Sequence, residues 1–139
     1  MRRFAPIGLF LLILALGTFF RFLILPEIPP GLYPDEAANG NNAVEALRTG
    51  DFKLFYPENN GREGLFINVQ ALAIRLFGPD PSSLRGVSAL VGSLTIIALW
   101  FLAHELLRSK TLVASPTITS LLAAFFLATS YWHLNFFFF

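Results

Sequence analysis

Long apolar runs alternate with polar stretches along this chain, and three of the runs are long enough to cross a membrane. They cover residues about 4–25, 86–107 and 112–135. Each run exceeds the roughly 20 residues that a helix needs to span about 30 Å of hydrocarbon. The pattern therefore predicts an all-α membrane protein with three transmembrane helices, in which residues 26–85 form a long connection.

The connection contains two more helical patterns, which we do not expect to cross the membrane. The first begins at Pro34 and places Asp35, Asn39 and Asn42 on one stripe. The second covers residues 65–77 and is apolar on most sides. We expect two amphipathic helices at the membrane surface, the first with its apolar side toward the lipid and the second packed against the membrane-spanning helices.

Turn residues separate these two helices. Gly50 is a natural stop for the first helix, and residues 49–64 are rich in turn-forming side chains. Asn60 followed by Gly61 is typical of a tight turn. The sequence therefore predicts a surface loop between the helices.

The composition agrees with a membrane protein. Of 139 residues, 55% are hydrophobic and 14% are charged, whereas soluble domains have about a quarter charged residues. The net charge of +1 gives no electrostatic basis for binding nucleic acid. The absence of cysteine excludes disulfide and thiolate chemistry.

Basic residues predict the orientation. Arg2 and Arg3 precede the first run, and Arg108 and Lys110 lie between the second and third runs. Because basic residues favour the cytoplasmic side, the N-terminus is expected in the cytoplasm and the connection on the outer face. We expect a bacterial inner membrane, and the lack of cysteines and of glycosylation sequons fits it no worse than other membranes.

Two adjacent carboxylates follow the first apolar run closely. Asp35 and Glu36 come just after Pro29 and Pro30, which form a stiff exit from the membrane. Acidic residues in a first helical turn are favoured by the helix dipole, and this alone would explain them. The alternative is a chemical role at the outer membrane surface, and the local sequence leaves both open.

Two segments carry a resemblance to a known family: "YPDEAANGNNAVEALRTGDF" and "GREGLFINVQALAIRLFG". They resemble the N-terminal part of integral-membrane glycosyltransferases of the C-type fold (GT-C). The branch in question contains the protein O-mannosyltransferases, the dolichyl-phosphate-mannose-type enzymes and the lipid A aminoarabinose transferases. Since members are much longer, residues 1–139 would be the start of a truncated polytopic domain, inactive by itself.

The resemblance implies a reaction and roles for several residues. A sugar would move from a polyprenyl-phosphate donor to a lipid, glycan or protein acceptor at the outer face of the membrane. Asp35 matches the essential aspartate that acts as general base on the acceptor or helps to hold it, and Glu36 is its neighbour in that catalytic motif. Arg62 is the candidate contact for the donor phosphate.

The resemblance also suggests a divalent metal ion, which some members use. Asp35 and Glu63 are the candidate metal ligands here. Glu58 and Glu63 are further candidates for substrate binding. His133 lies near a family histidine to which we assign no role.

Two other interpretations remain open at the level of sequence. The short length favours a non-enzymatic accessory or structural subunit of a membrane complex. Alternatively, the first run is a signal sequence cleaved near Thr18 that leaves an outer-surface module. Apolar sequence continues to Leu25, beyond the usual signal core of about 7–15 residues, which favours an uncleaved helix.

Overall fold

The computed structural model describes residues 5–23, 25, 30–108 and 115–130. Over these ranges the chain is mostly helical. Its elements there are α1 (Ala5–Phe22), α2 (Pro34–Thr49), β1 (Phe55–Tyr56), β2 (Arg62–Glu63), α3 (Gly64–Phe77), α4 (Pro81–Arg108) and α5 (Pro116–Thr129). The described residues form two compact units. The first contains α1, α5 and α4 from Ala89 onward, and the second contains α2, the two strands, α3 and the beginning of α4.

Two of the described helices, α1 and α4, are long and apolar enough to cross a membrane. Helix α4 begins at Pro81, five residues before the predicted start, because proline suits the first helical turn. Helix α5 has 14 residues, fewer than a crossing requires. The predicted third span over residues 112–135 extends beyond the described residues and stays a prediction.

The first unit is held together by close packing of small and aromatic side chains. Phe10 stacks on Trp100 with ring centroids 4.3 Å apart. A Cβ atom at Gly17 would lie 2.7 Å from Cδ1 of Ile96 and 3.0 Å from Cβ of Ala128. Glycine at this position therefore allows α1, α4 and α5 to approach closely, as small residues do between helices in lipid.

From its position near the end of the first apolar run, the sequence predicts that Arg21 extends toward the membrane interface or pairs with an acid of the connection. The first of these predictions is wrong. The Arg21 side chain is only 1% exposed. Nη1 donates hydrogen bonds to the carbonyl oxygens of Gly17, at 2.7 Å, and Ala128, at 3.4 Å, and Nη2 donates to that of Leu127, at 3.5 Å. The last carbonyl groups of a helix lack partners within the helix, so the end of α5 provides acceptors for a buried cation.

The second unit is built on the contact between α2 and α3. Its core residues are Ala43, Tyr56, Ile67, Ala71, Ile74 and Leu84. Asn39 and Asn42 of the predicted polar stripe are also buried. This part of the stripe therefore faces the inside of the unit rather than water, and Oδ1 of Asn39 accepts a hydrogen bond there from Arg62.

Helix α3 has an exposed apolar surface. Leu65, Leu72, Leu76 and Phe77 are all more than half exposed. Exposed apolar side chains grouped on one helix are typical of a surface that contacts lipid or protein.

The segment predicted as a loop contains a short antiparallel hairpin. Phe55 pairs with Glu63, and Tyr56 pairs with Arg62. The predicted tight turn is confirmed: Asn59, Asn60 and Gly61 all have the positive φ angles typical of turn residues. The strands have two residues each, too few for an alternating pattern to be recognised in the sequence.

The hairpin is fixed to the beginning of α3. The Tyr56 hydroxyl donates a hydrogen bond of 2.9 Å to Oδ1 of Asn68, whose amide nitrogen donates to the Lys53 carbonyl at 3.1 Å. A Cβ atom at Gly64 would collide with that same carbonyl oxygen. Glycine is therefore required where α3 begins, and the hairpin has a defined position in the second unit.

Candidate functional site

The first turn of α2 positions both predicted carboxylates. Tyr33 is the N-cap residue and Pro34 occupies the first helical position, where its missing N–H costs nothing. Asp35 and Glu36 follow directly and complement the positive end of the helix dipole. Because consecutive residues of a helix point in directions about 100° apart, the two side chains reach different neighbours.

Asp35 and Arg62, the predicted base and the predicted phosphate contact, are in direct contact. Nη2 of Arg62 lies 3.0 Å from Oδ1 of Asp35, and the two side chains are 24% and 50% exposed respectively. Nη1 of Arg62 donates a hydrogen bond of 3.0 Å to Oδ1 of Asn39, one turn further along α2. Nδ2 of Asn59 donates a second hydrogen bond, of 2.8 Å, to Oδ1 of Asp35.

The hairpin delivers two members of this cluster to α2. Strand β2 carries Arg62, and the turn before it carries Asn59, whose positive φ brings the side chain back toward Asp35. Asn59 was not predicted as a site residue, because its long-range contact leaves no local pattern. Asp35, Asn39, Asn59 and Arg62 together form a group that we call the Asp35 cluster.

The cluster keeps Asp35 ionised. The hydrogen bond from Asn59 is the main cause that lowers the pKa of Asp35 from its ordinary value of 3.8, and the charge of Arg62 and its hydrogen bond lower it further. Partial desolvation opposes this by raising the pKa. The folded protein thus favours the carboxylate, and this contribution to stability is present near neutral pH. It is lost as the pH falls through the lowered pKa of the folded state.

Removal of the Asn59 amide should raise the pKa of Asp35. We expect Asn59→Ala to move it back toward the ordinary value, because the largest cause of the shift disappears. The measurement is a pH titration of the Asp35 side-chain carboxyl signal by NMR with carbon-13-labelled aspartate. Asn41→Ala, on the exposed side of α2, is the control and should leave the titration unchanged. An equal titration curve for Asn59→Ala and the unaltered protein would contradict the assignment.

Glu36 has a different environment from its neighbour. It forms a bidentate ion pair with Arg85, with Nε 2.7 Å from Oε1 and Nη2 3.2 Å from Oε2. The two side chains are 5% and 1% exposed. Paired donors in this fork geometry make the guanidinium–carboxylate contact both strong and directional.

Arg85 also holds the segment that precedes α2. Its Nη1 donates to the Leu25 carbonyl at 3.0 Å, and its Nη2 donates to the Gly31 carbonyl at 2.5 Å. One side chain near the start of α4 thereby connects the segment before α2 to the first turn of that helix. This role was not predicted from the sequence, because Arg85 falls in the connection, just before the predicted start of the helix.

The other predicted site residues lie apart from these contacts. Glu58 and Glu63 are exposed, and no ion pair is found for either among the described residues. His133 is outside the described residues. Within the part of the chain that the structure describes, no group of three or more acidic or histidine side chains is placed to hold a metal ion.

The chemistry of the Asp35 cluster does not favour a metal ion either. Oδ1 of Asp35 accepts hydrogen bonds from Asn59 and lies beside the Arg62 guanidinium, which would repel a divalent cation. The predicted metal ligands Asp35 and Glu63 therefore do not form a cation site in this arrangement. Metal dependence stays a prediction.

Comparisons of the chain with protein-family models, curated proteins and solved structures found no match. The family and the activity therefore stay predictions from the sequence. The observations that bear on them are the contacts of Asp35 and Arg62.

Proposed function

We propose that the chain is part of an integral-membrane glycosyltransferase that transfers a sugar from a polyprenyl-phosphate donor to an acceptor at the outer face of the membrane. The observation that carries this proposal is the contact between Asp35 and Arg62 at 3.0 Å. The sequence resemblance implies separate roles for these two residues. They are distant in the sequence, and yet the fold brings them into contact.

The reaction needs a base and a cation in one place, and this pair supplies both. The Asp35 carboxylate takes the proton from the hydroxyl or amine of the acceptor as that group attacks the anomeric carbon of the sugar. The bond between that carbon and the phosphate oxygen breaks, and the prenyl phosphate leaves with the electron pair. The guanidinium of Arg62 stabilises the negative charge on this leaving group.

The exposure of the pair is consistent with access for both substrates. Arg62 and Asp35 are partly exposed, at 24% and 50%, so that a headgroup and an acceptor can reach them from outside the unit. The exposed apolar residues of α3 supply a surface that can rest on lipid. A donor whose prenyl tail stays in the bilayer would present its phosphate at the depth of such interfacial helices.

In this proposal Glu36 is a positioning residue. Its ion pair with Arg85 is almost completely buried, and its two oxygens are already engaged by Nε and Nη2. The same arginine holds the carbonyls of the membrane exit. The pair therefore fixes the first turn of α2, and with it the backbone that carries Asp35.

Substitution of Arg62 tests the phosphate contact. We expect Arg62→Gln to raise the KM for the polyprenyl-phosphate donor by about 10- to 100-fold, since a hydrogen bond to a charged group contributes about 1.5–3 kcal/mol. Arg62→Lys keeps the charge but loses the fork geometry and should give an intermediate KM. The measurement, made on the complete enzyme of which this chain is proposed to be part, is the initial rate of prenyl-phosphate release at varied donor concentration. Arg48→Gln, an exposed arginine at the end of α2, is the control; an equal KM for both glutamine variants would contradict the proposal.

A further inference from the structure

The Arg62 guanidinium already serves two partners. It contacts the carboxylate of Asp35 through Nη2 and the amide oxygen of Asn39 through Nη1, each at 3.0 Å. Among the described residues, Asp35 is the acidic side chain that pairs with it. In the proposed reaction, however, Arg62 must hold a phosphate while Asp35 must receive an acceptor. The two residues therefore need to exchange partners during the reaction.

We infer that the anionic phosphate of the donor competes with the Asp35 carboxylate for the Arg62 guanidinium, so that donor binding releases Asp35 to act on the acceptor. This inference rests on the proposed function and adds an order to it, with the donor binding before the acceptor. It makes the Asp35–Arg62 contact the resting state of the site.

The two neighbouring ion pairs differ in side-chain exposure, which decides whether the partners of a pair can separate. The Glu36–Arg85 side chains are 5% and 1% exposed, whereas the Asp35–Arg62 side chains are 50% and 24% exposed. A buried pair has lost its hydration and cannot separate cheaply. A partly exposed pair contributes little to stability and can separate when another anion arrives. Glu36 is thus held in its buried ion pair, whereas Asp35 can exchange its partner.

The exchange also changes the proton affinity of the Asp35 carboxylate. A carboxylate that is paired with a cation and accepts the Asn59 hydrogen bond has a low affinity for protons, so it is a poor base. When a phosphate takes over the charge of Arg62, the carboxylate regains proton affinity at the moment the donor is present. Binding equilibria that share one group are linked reciprocally, so removal of the Asp35 charge must favour the phosphate.

The test is a comparison of binding by charge-matched variants. Farnesyl monophosphate is titrated into the purified protein in detergent micelles, and Kd is measured by calorimetry. We expect Asp35→Asn to lower Kd by about two- to five-fold, the range of an exposed ion pair, and Asp35→Ser to act in the same direction. Asp51→Asn, another exposed acid of the same unit, controls for net charge and should leave Kd unchanged. Arg62→Gln should weaken binding.

The other outcomes contradict either the competition between Asp35 and the phosphate or the phosphate contact itself. If Asp35→Asn binds no more tightly than Asp51→Asn while Arg62→Gln still weakens binding, competition is wrong and the phosphate contact stands. If both asparagine variants bind more tightly to the same extent, the effect is general charge and competition is again wrong. If the unaltered protein and Arg62→Gln bind alike, or neither binds, the phosphate contact fails and the inference fails with it.

Discussion

Asp35→Asn is expected to lower sugar transfer by about 10²- to 10⁴-fold, the usual contribution of a general base. The asparagine amide oxygen can still accept the hydrogen bonds from Asn59 and Arg62, so the second unit should keep its structure. The amide cannot take a proton from the acceptor. The effect should therefore fall on kcat, measured for the complete enzyme as prenyl-phosphate release in membranes that contain the natural acceptor.

The control for this variant must separate chemistry from folding. Asp51→Asn removes an exposed carboxylate of the same unit and should keep the rate of the unaltered protein. Membrane insertion of Asp35→Asn, followed by protease protection, should also be unchanged. A turnover number for Asp35→Asn close to that of Asp51→Asn would show that Asp35 is not the base.

The second large effect concerns stability. Glu36→Gln and Arg85→Met should each lower the free energy of unfolding by about 3–5 kcal/mol, because each leaves one member of a buried ion pair without its partner. Arg85→Met also removes donors from the Leu25 and Gly31 carbonyls. The measurement is unfolding of the purified protein in a single detergent.

Two comparisons test the origin of this loss. The double variant Glu36→Met with Arg85→Met should lose less stability than the sum of the single variants, since no lone charge remains buried. Glu105→Gln breaks an exposed pair with Arg108, in which N and O are 3.6 Å apart and both side chains are 72% exposed. We expect that change to cost less than about 1 kcal/mol. If Glu36→Gln lowers the free energy of unfolding by no more than Glu105→Gln does, the buried pair does not hold the first turn of α2.

Local sequence patterns predicted the helical elements well. The predicted first helix over residues 4–25 compares with the described α1 over Ala5–Phe22, and the predicted stop at Gly50 is confirmed by its left-handed φ of 75°. Apolar runs, proline and glycine act over a few residues, so one sequence is enough to recognise them. The described helices α1 and α4 are the two that are able to span a membrane.

Long-range contacts could not be predicted in the same way. The partners Glu36 and Arg85 are 49 residues apart, and nothing near either residue identifies the other. Arg21 looked like an interface residue because the helix end that accepts its hydrogen bonds comes 106 residues later, at Leu127. The signal that existed was a single arginine in or beside an apolar run, which must find a partner wherever the fold provides one.

In the candidate site, too, the residue types could be predicted from the sequence but their long-range contacts could not. The sequence identified Asp35 and Arg62 separately, through residue type and resemblance, and the fold brings them into contact. It did not identify Asn59, because a turn asparagine normally serves its own backbone. It assigned Asp35 and Glu36 to one motif, whereas the structure gives them different partners.

The central claim is that a prenyl-phosphate sugar meets the protein at the Asp35–Arg62 pair. The most direct measurement is photoaffinity labelling in a bilayer, using a prenyl phosphate with a photoreactive group beside the phosphate and mapping adducts by mass spectrometry. We predict adducts within residues 30–64 that are lost in Arg62→Gln and are not formed by the corresponding prenyl alcohol. Adducts confined to other parts of the chain, or equal labelling of the Arg62→Gln protein, would contradict the account.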